Sequence, residues 1–283
     1  MLIPISFKKS VIRIGPAGIP LSCKERTNVD GIIYTRCLGL SAMEIRFARG
    51  FISEEEAKEI KAAAKKTDVA IYVHAPYYVN LAGNKRNVEM GVEKIERTLK
   101  LAKLMGARMI TTHLGFYGHL SKKETMKRIV KNLRGIRDRA KKGGIEIPIG
   151  IETMGKREVF GSIEEVMEIC RRVKGTVPVL DISHIHARGG GCLREKEDFE
   201  RIFDMLEPLH LSHYLIHLTG VTYSTGGEKY HVPIKKSDLP VIKLLEVLLE
   251  RNYDATIISE SPVVEHDAVY IQILLDRAME MIK

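Results

Sequence analysis

Six times along the chain a short β-branched or apolar run ends on a side chain able to bind metal: His74, His113, Glu152, Asp181, His217 and Glu260. Imidazole nitrogens mixed with carboxylate oxygens suit zinc, manganese or iron, whereas an all-oxygen set suits magnesium or calcium. Six such groups exceed the need of one ion. Two or three neighbouring ions are implied, with a carboxylate such as Glu152 bridging a pair, as in metal clusters that work on phosphates. That makes Glu152 the catalytic candidate as well. The segment Asp181-Ile182-Ser183-His184 adds His184 just past the sixth run, and His231 lies in the loop after the seventh, which brings the set to eight.

Any one of these residues taken alone is more often a hydrogen-bonded structural group than a ligand. The set is different, because strand ends elsewhere carry mostly Gly, Ser, Asn and Asp, and six departures in consecutive units need a common cause. His119, His186, His210, His213 and His266 do not combine a strand end with a matching partner and read as structural or surface residues. Tyr77 and Tyr78 follow His74 in a loop where one of the two rings could stack on a base or sugar. The cations Lys85, Arg86, Lys156, Arg157 and Arg188 could meet phosphates, although charged loop residues are usually just solvated, and only Arg157 and Arg188, in motif loops, are worth testing for it.

Residues this far apart meet only if the fold gathers strand ends. The run over 11–15, the loop Pro16-Ala17-Gly18-Ile19-Pro20 and a helical stretch reaching Gly39 make a first strand–helix unit, and seven more follow with the same grammar. Ser53 ahead of three glutamates is a helix start, as is Ser162, and Gly106 is a helix stop after the stretch over 88–105. A long charged helix is expected from Ser121 to about Lys142, helices over 239–249 and 267–282, and Pro178 fits only at the beginning of its strand. Eight alternations predict an α/β fold, a single (β/α)8 TIM barrel forming one domain over 1–283. A closed parallel barrel brings the carboxyl ends of all its strands to one rim, whereas an open doubly wound sheet would use fewer strands.

Composition narrows the function classes. The formal charge of +9, from 45 Lys and Arg against 36 Asp and Glu, is spread along the helices and fits a polyanionic partner. Lys and Glu enrichment beside a single glutamine, Gln272, fits thermal adaptation equally well. Cys23, Cys37, Cys170 and Cys192 have no paired spacing, which argues against a disulfide framework or a zinc finger. The first apolar stretch is broken by Pro4 and then Lys8 and Lys9, and no run has the length of a membrane span, so a soluble cytoplasmic protein with no membrane partner is expected.

The motifs Val73-His74-Ala75-Pro76-Tyr77-Tyr78-Val79-Asn80-Leu81-Ala82, Ile151-Glu152-Thr153, Asp181-Ile182-Ser183-His184 and Ser259-Glu260-Ser261-Pro262 resemble those of endonuclease IV, the AP endonuclease family 2 within the xylose-isomerase-like barrels. The likeness runs in order from about Ile14 to Glu260 and looks like a divergent branch, as an archaeal member would be. It implies a zinc enzyme, with manganese as an alternative ion, that cleaves the phosphodiester 5′ to abasic sites in damaged double-stranded DNA as a monomer, using a metal-activated hydroxide. It would place His74, His113 and Glu152 on a first metal, Glu152, Asp181, His217 and Glu260 around a second, and His184 and His231 on a third. It also matches Tyr77 to a tyrosine that penetrates DNA at the lesion.

Two departures stand out. The family holds its third metal partly through an Asp two residues before the last His, where this chain has Lys229, with Glu228 the nearest acid. Either Glu228 reaches in from a shifted loop or the third site is weakened. His113-Leu114-Gly115-Phe116 also replaces a His-Pro-Gly element. Two other functions remain open: a metal-dependent sugar isomerase or epimerase of the same barrel class, which needs no third metal, and a non-catalytic nucleic-acid-binding barrel.

Overall fold

A computed structural model describes residues 11–48 and 50–282, and the stretch carrying Pro4, Lys8 and Lys9 lies outside these described residues. Eight strands form one parallel sheet: β1 (Ile12–Pro16), β2 (Ala42–Arg46), β3 (Ala70–His74), β4 (Ile110–Thr112), β5 (Ile149–Glu152), β6 (Thr176–Asp181), β7 (Tyr214–Leu218) and, after an antiparallel hairpin of β8 (Gly220–Ser224) and β9 (Gly227–Val232), β10 (Ala255–Ser259). The order is β1-β10-β7-β6-β5-β4-β3-β2. Between β1 and β2 the Ser41 amide donates to the Ile14 carbonyl (2.9 Å) and the Gly18 amide to the Glu44 carbonyl (2.8 Å), which closes the sheet on itself. This is the TIM barrel expected from the eightfold alternation.

Helices α1 (Asn28–Cys37), α2 (Glu54–Thr67), α3 (Lys85–Met105), α4 (Lys122–Lys142) and α5 (Ile163–Arg172) surround the first half of the sheet, and α7 (Lys196–Leu206), α8 (Val241–Glu250) and α9 (Glu265–Met281) the second. Their starts are chemically marked: Ser53, Asn84, Ser121 and Ser162 each accept from the backbone amide three residues on. Such caps contribute about 1 kcal/mol each. Gly106 ends α3 in the left-handed region, and Pro178 is the third residue of β6, placed before the pairing with β7 begins at Val179. Among the described residues no helix is long and apolar enough to cross a membrane.

Side chains alternate between the two faces of each strand. The outward positions Ile71, Val73, Ile110, Ile149 and Ile151 pack under the first helices, and Leu180, Ile216, Leu218 and Ile257 under the second set. Inward, Ala42, Ala70, Tyr72, Val179, Leu215 and Ile258 fill the barrel with an apolar plug. Two residues further along the same strands stand Glu44, His74, Asp181, His217 and Glu260. The polar layer at the rim is thus the next inward step above the plug, placed there by strand periodicity.

Candidate metal centre

The structure brings all eight sequence-identified residues together at the carboxyl end of the barrel. His74, Glu152 and Asp181 end β3, β5 and β6, His217 is next to last in β7, and His113 and Glu260 directly follow β4 and β10. His184 sits on α6 (Ile182–Arg188), whose N-cap is Asp181 itself, with the Asp181 carboxylate accepting from the His184 amide at 2.7 Å. His231, expected in a loop, is on β9 of the hairpin. Three sets have ligand-type atoms within 4.8 Å of one another: His74, His113 and Glu152; Glu152, Asp181, His217 and Glu260; and Asp181, His184 and His231.

Glu152 joins the first two sets. Its Oε2 lies 3.0 Å from His74 Nε2 and 2.8 Å from His113 Nε2, while its Oε1 faces His217 Nδ1 at 3.4 Å. Four imidazoles have one ring nitrogen tied to the surrounding protein. His74 Nδ1 bonds to the Ala75 carbonyl (2.7 Å), His184 Nδ1 to the Thr153 carbonyl (2.9 Å), His231 Nδ1 to the Glu260 carbonyl (3.2 Å) and His217 Nε2 to Glu44 Oε2 (3.1 Å). Anchoring of this kind fixes ring orientation and leaves the other nitrogen pointing into the centre, the habit of metal-binding histidines.

The acids and imidazoles hold one another in charged form against the cost of burial. Burial disfavours the imidazolium of His74, yet Glu152 and Glu44 bring its pKa to about 9; at His184 the same opposition, with Asp181 the main partner, also gives about 9. Burial and neighbouring acids push Asp181 up to about 6, whereas His113 and the other imidazoles outweigh burial and hold Glu152 well below the usual carboxylate range. Glu260 is lowered too, burial being outweighed chiefly by His217.

The donors fit a metal. Among the described residues, six buried side-chain polar atoms lack a hydrogen-bond partner, and four of them are Glu152 Oε1, Asp181 Oδ2, His217 Nδ1 and Glu260 Oε1. Each atom of this kind costs on the order of 1–3 kcal/mol unless something else satisfies it. Their concentration in the four-residue set, with mixed nitrogen and oxygen chemistry, fits a borderline divalent ion such as zinc or manganese.

Two residues of this region, Glu44 and Arg46, were not legible as site residues, and a third, Glu228, was only one of two alternatives for the last site. Glu44 is fully buried on β2 and bonds His217; Arg46, at the end of β2, lines the cavity and donates to the Tyr77 hydroxyl at 3.1 Å. Glu228 on β9 reaches His184 Nε2 (3.3 Å) and His231 Nε2 (3.4 Å), while Lys229 is exposed. The cavity above the acids, about 380 Å³, is lined by Tyr77, Tyr78, Phe116, Lys156 and Arg46 among others. Tyr77 packs its ring 4.9 Å from that of His74, and burial pushes its hydroxyl up to about 12; Tyr78 is the exposed one of the pair, at 84%.

Arg188, singled out for testing, is engaged elsewhere. Its guanidinium is bonded to the carbonyls of Met154, Lys156, Val159 and Arg157, and to the Tyr117 hydroxyl, so it fastens the loop after β5 and is not free for a phosphate. Arg157 is exposed, with its Nε on the Arg188 carbonyl. Lys85 and Arg86 lie in the first turn of α3, and only Lys156 of the expected cations lines the cavity. His186 is buried between Asp238 (3.0 Å) and the Leu193 amide (3.1 Å), His213 bonds Tyr72, and His119, His210 and His266 are exposed.

The sequence profile of the family described as xylose isomerase-like TIM barrels matches residues 34–278. An uncharacterised protein of Methanocaldococcus jannaschii is 31% identical over 270 residues, 93% of this chain and 97% of its own length. A protein of Mesomycoplasma hyopneumoniae named a probable endonuclease 4 is 25% identical over 208 residues, 71% of this chain and 73% of its own. A solved D-tagatose 3-epimerase-like protein superposes with a TM-score of 0.71 at 23% identity, covering 94% of this chain and 97% of that one. Endonuclease IV from Thermus thermophilus gives 0.70 at 20% identity, covering 94% and 99%. Structural likeness at these identities reports the fold, and it embraces a nuclease and an epimerase-like protein alike. With the profile spanning most of the chain and the barrel closed as described, this protein belongs to the xylose isomerase-like TIM barrel family, with endonuclease 4 proteins among its distant homologues.

Proposed function

We propose that this protein is a metal-dependent endonuclease that hydrolyses the phosphodiester 5′ to abasic sites in DNA. The observation that carries the reading is the continuous chain of donor sets, three in number and linked through Glu152 and Asp181, which exceeds what one ion needs. Bound metal ions would supply charge to neutralise the phosphate and would lower the pKa of water. His74, His113 and Glu152 would hold one, and Glu152, Asp181, His217 and Glu260 another, with zinc the first choice and manganese the second.

The chain's own residues then have definite tasks. Arg46 and Lys156 bring positive charge to the cavity, where a backbone phosphate is the natural counterpart. Tyr77, whose pKa lies near 12, stays protonated at neutral pH, so its hydroxyl is a donor toward substrate while Arg46 fixes its position. The buried walls below exclude bulk water and strengthen each of these interactions. The related probable endonuclease 4 sequences agree with this assignment.

A metal-dependent sugar epimerase is the second reading, because the four-residue set of Glu152, Asp181, His217 and Glu260 is complete without the hairpin. One experiment separates the two. Protein loaded with Zn²⁺ or Mn²⁺ is given a duplex with a single abasic site and, separately, a panel of ketoses. Nicking that disappears, together with metal, in Glu152→Gln supports the nuclease. An intact duplex across both metals with stoichiometric metal bound refutes it, and ketose turnover in the same sample selects the epimerase.

A further inference from the structure

We propose that Glu228 is a ligand of a third metal position, completing His184 and His231, and that a one-residue bulge at Lys229 puts it there; this rests on the metal-cluster reading above. The argument begins with strand periodicity. Residues three apart in a regular strand face opposite sides, so Glu228 and His231 should diverge. They do not: both side chains reach His184 Nε2 or its neighbourhood, Glu228 Oε2 at 3.3 Å and His231 Nε2 at 3.4 Å.

The pairing of β8 with β9 explains why. Gly220 opposes Val232, Val221 opposes His231 and Thr222 opposes Tyr230, but the next pair is Tyr223 with Glu228. Lys229 has no partner on β8. An extra residue of this kind is a β-bulge, and it restores to one face two side chains that the count would separate. Lys229 and Tyr230 are consecutively exposed, as the irregular register allows, which leaves the lysine in solvent.

Spacing supports coordination. Three donors bound tetrahedrally to one zinc at about 2.0–2.1 Å lie roughly 3.3 Å from one another. The observed separations are 3.3 Å from Glu228 Oε2 to His184 Nε2, 3.4 Å from Glu228 Oε1 to His231 Nε2 and 3.4 Å between the two imidazole nitrogens, so the carboxylate faces both rings with one oxygen toward each. Both imidazoles have their Nδ1 on a backbone carbonyl, which leaves Nε2 as the donor in each.

The carboxylate is also held in place by backbone packing. The Glu228 amide donates to the Gly155 carbonyl at 3.2 Å, and Lys156 bridges Gly227. A methyl on Gly155 would lie 2.7 Å from Glu228 Cβ and Oε2, and one on Gly227, whose φ is +96°, would lie 2.2 Å from the Gly155 carbonyl oxygen. The two glycines let the loop after β5 and the hairpin touch, and Glu228 has one place to go.

The test is zinc uptake by full-length protein at defined free zinc, read by elemental analysis, with cobalt absorption as an independent report on ligand type. Wild type is expected to bind three equivalents. Glu228→Ala should bind the third at least about tenfold more weakly, with its melting temperature showing the barrel intact and the other two equivalents unchanged. Deleting Lys229 together with Glu228→Asp removes the bulge and places a shorter acid two residues before the histidine, and should restore the third equivalent. Uptake of three equivalents by Glu228→Ala at wild-type affinity, or of only two by wild type, overturns the proposal. Three equivalents with loss of one in Glu228→Ala, but no cleavage of abasic DNA, leaves it standing and refutes the nuclease instead.

Discussion

Glu44 is the residue on which the metal reading can be tested at one remove from the ligands. It is fully buried, and its single good bond is the 3.1 Å contact from His217 Nε2, with Thr111 at 3.4 Å and its own Oε1 without a hydrogen-bond partner. Glu44→Gln keeps the shape and an accepting oxygen but removes the charge. A buried hydrogen bond to an ionised carboxylate contributes about 1.5–3 kcal/mol and one to a neutral amide about 1 kcal/mol, so the difference is about 0.5–2 kcal/mol. At 1.4 kcal/mol per tenfold, this weakens metal binding at the set containing His217 by roughly 2- to 30-fold. Competition for zinc against a chromophoric chelator at fixed pH resolves a shift of that size. The loss should fall on one equivalent, because His74, His184 and His231 have other anchors. An unchanged zinc affinity, or an equal loss at every equivalent, would show that Glu44 does not act through His217.

Removing metal should make stability depend on pH in a defined direction. In metal-free protein His74 and His184 have pKa values near 9 against an ordinary 6.5, so their contribution is fully present below about pH 6.5 and is lost as pH rises through about 9. Asp181, raised from 3.8 to about 6, acts with the same sign over a lower range. Thermal melts in chelator should therefore fall between pH 7 and 9.5 by the equivalent of a few kcal/mol, and a flat profile would contradict the electrostatics described. Arg188→Ala is expected to destabilise by about 2–4 kcal/mol through its lost carbonyl bonds while leaving the salt dependence of DNA binding unaltered. A reduced salt slope with an unchanged melting temperature would return Arg188 to the phosphate.

The strand-end residues were legible because position and chemistry coincide there. A polar group that closes an apolar run at the rim interrupts the pattern, and His74, Glu152 and Asp181 do so visibly. Glu44 gives no such signal: within Ala-Met-Glu-Ile-Arg it reads as the polar face of a half-exposed strand, and only barrel closure turns that face inward. Arg188 stood out as a phosphate candidate for the opposite reason, since a loop-proximal arginine does not announce that backbone carbonyls surround it. The hairpin was visible in principle, because Ser224-Thr225-Gly226-Gly227 between two β-prone runs is a turn signal. Its register was not, since a bulge shows only in the pairing.

The hairpin also divides the centre by lifetime. The backbones that carry the donors on β3, β5, β6 and β7 cannot separate until the barrel itself opens, so an ion among them would leave only by stepwise release of side-chain ligands within a fixed frame. Glu228 and His231 stand on a two-stranded appendage outside the eight-stranded sheet, tied to the barrel rim by loop contacts such as the Glu228 amide on the Gly155 carbonyl rather than by sheet pairing. An ion there would come and go on the timescale of a local opening. The molecule would then carry two slowly exchanging ions and one that equilibrates faster with its surroundings.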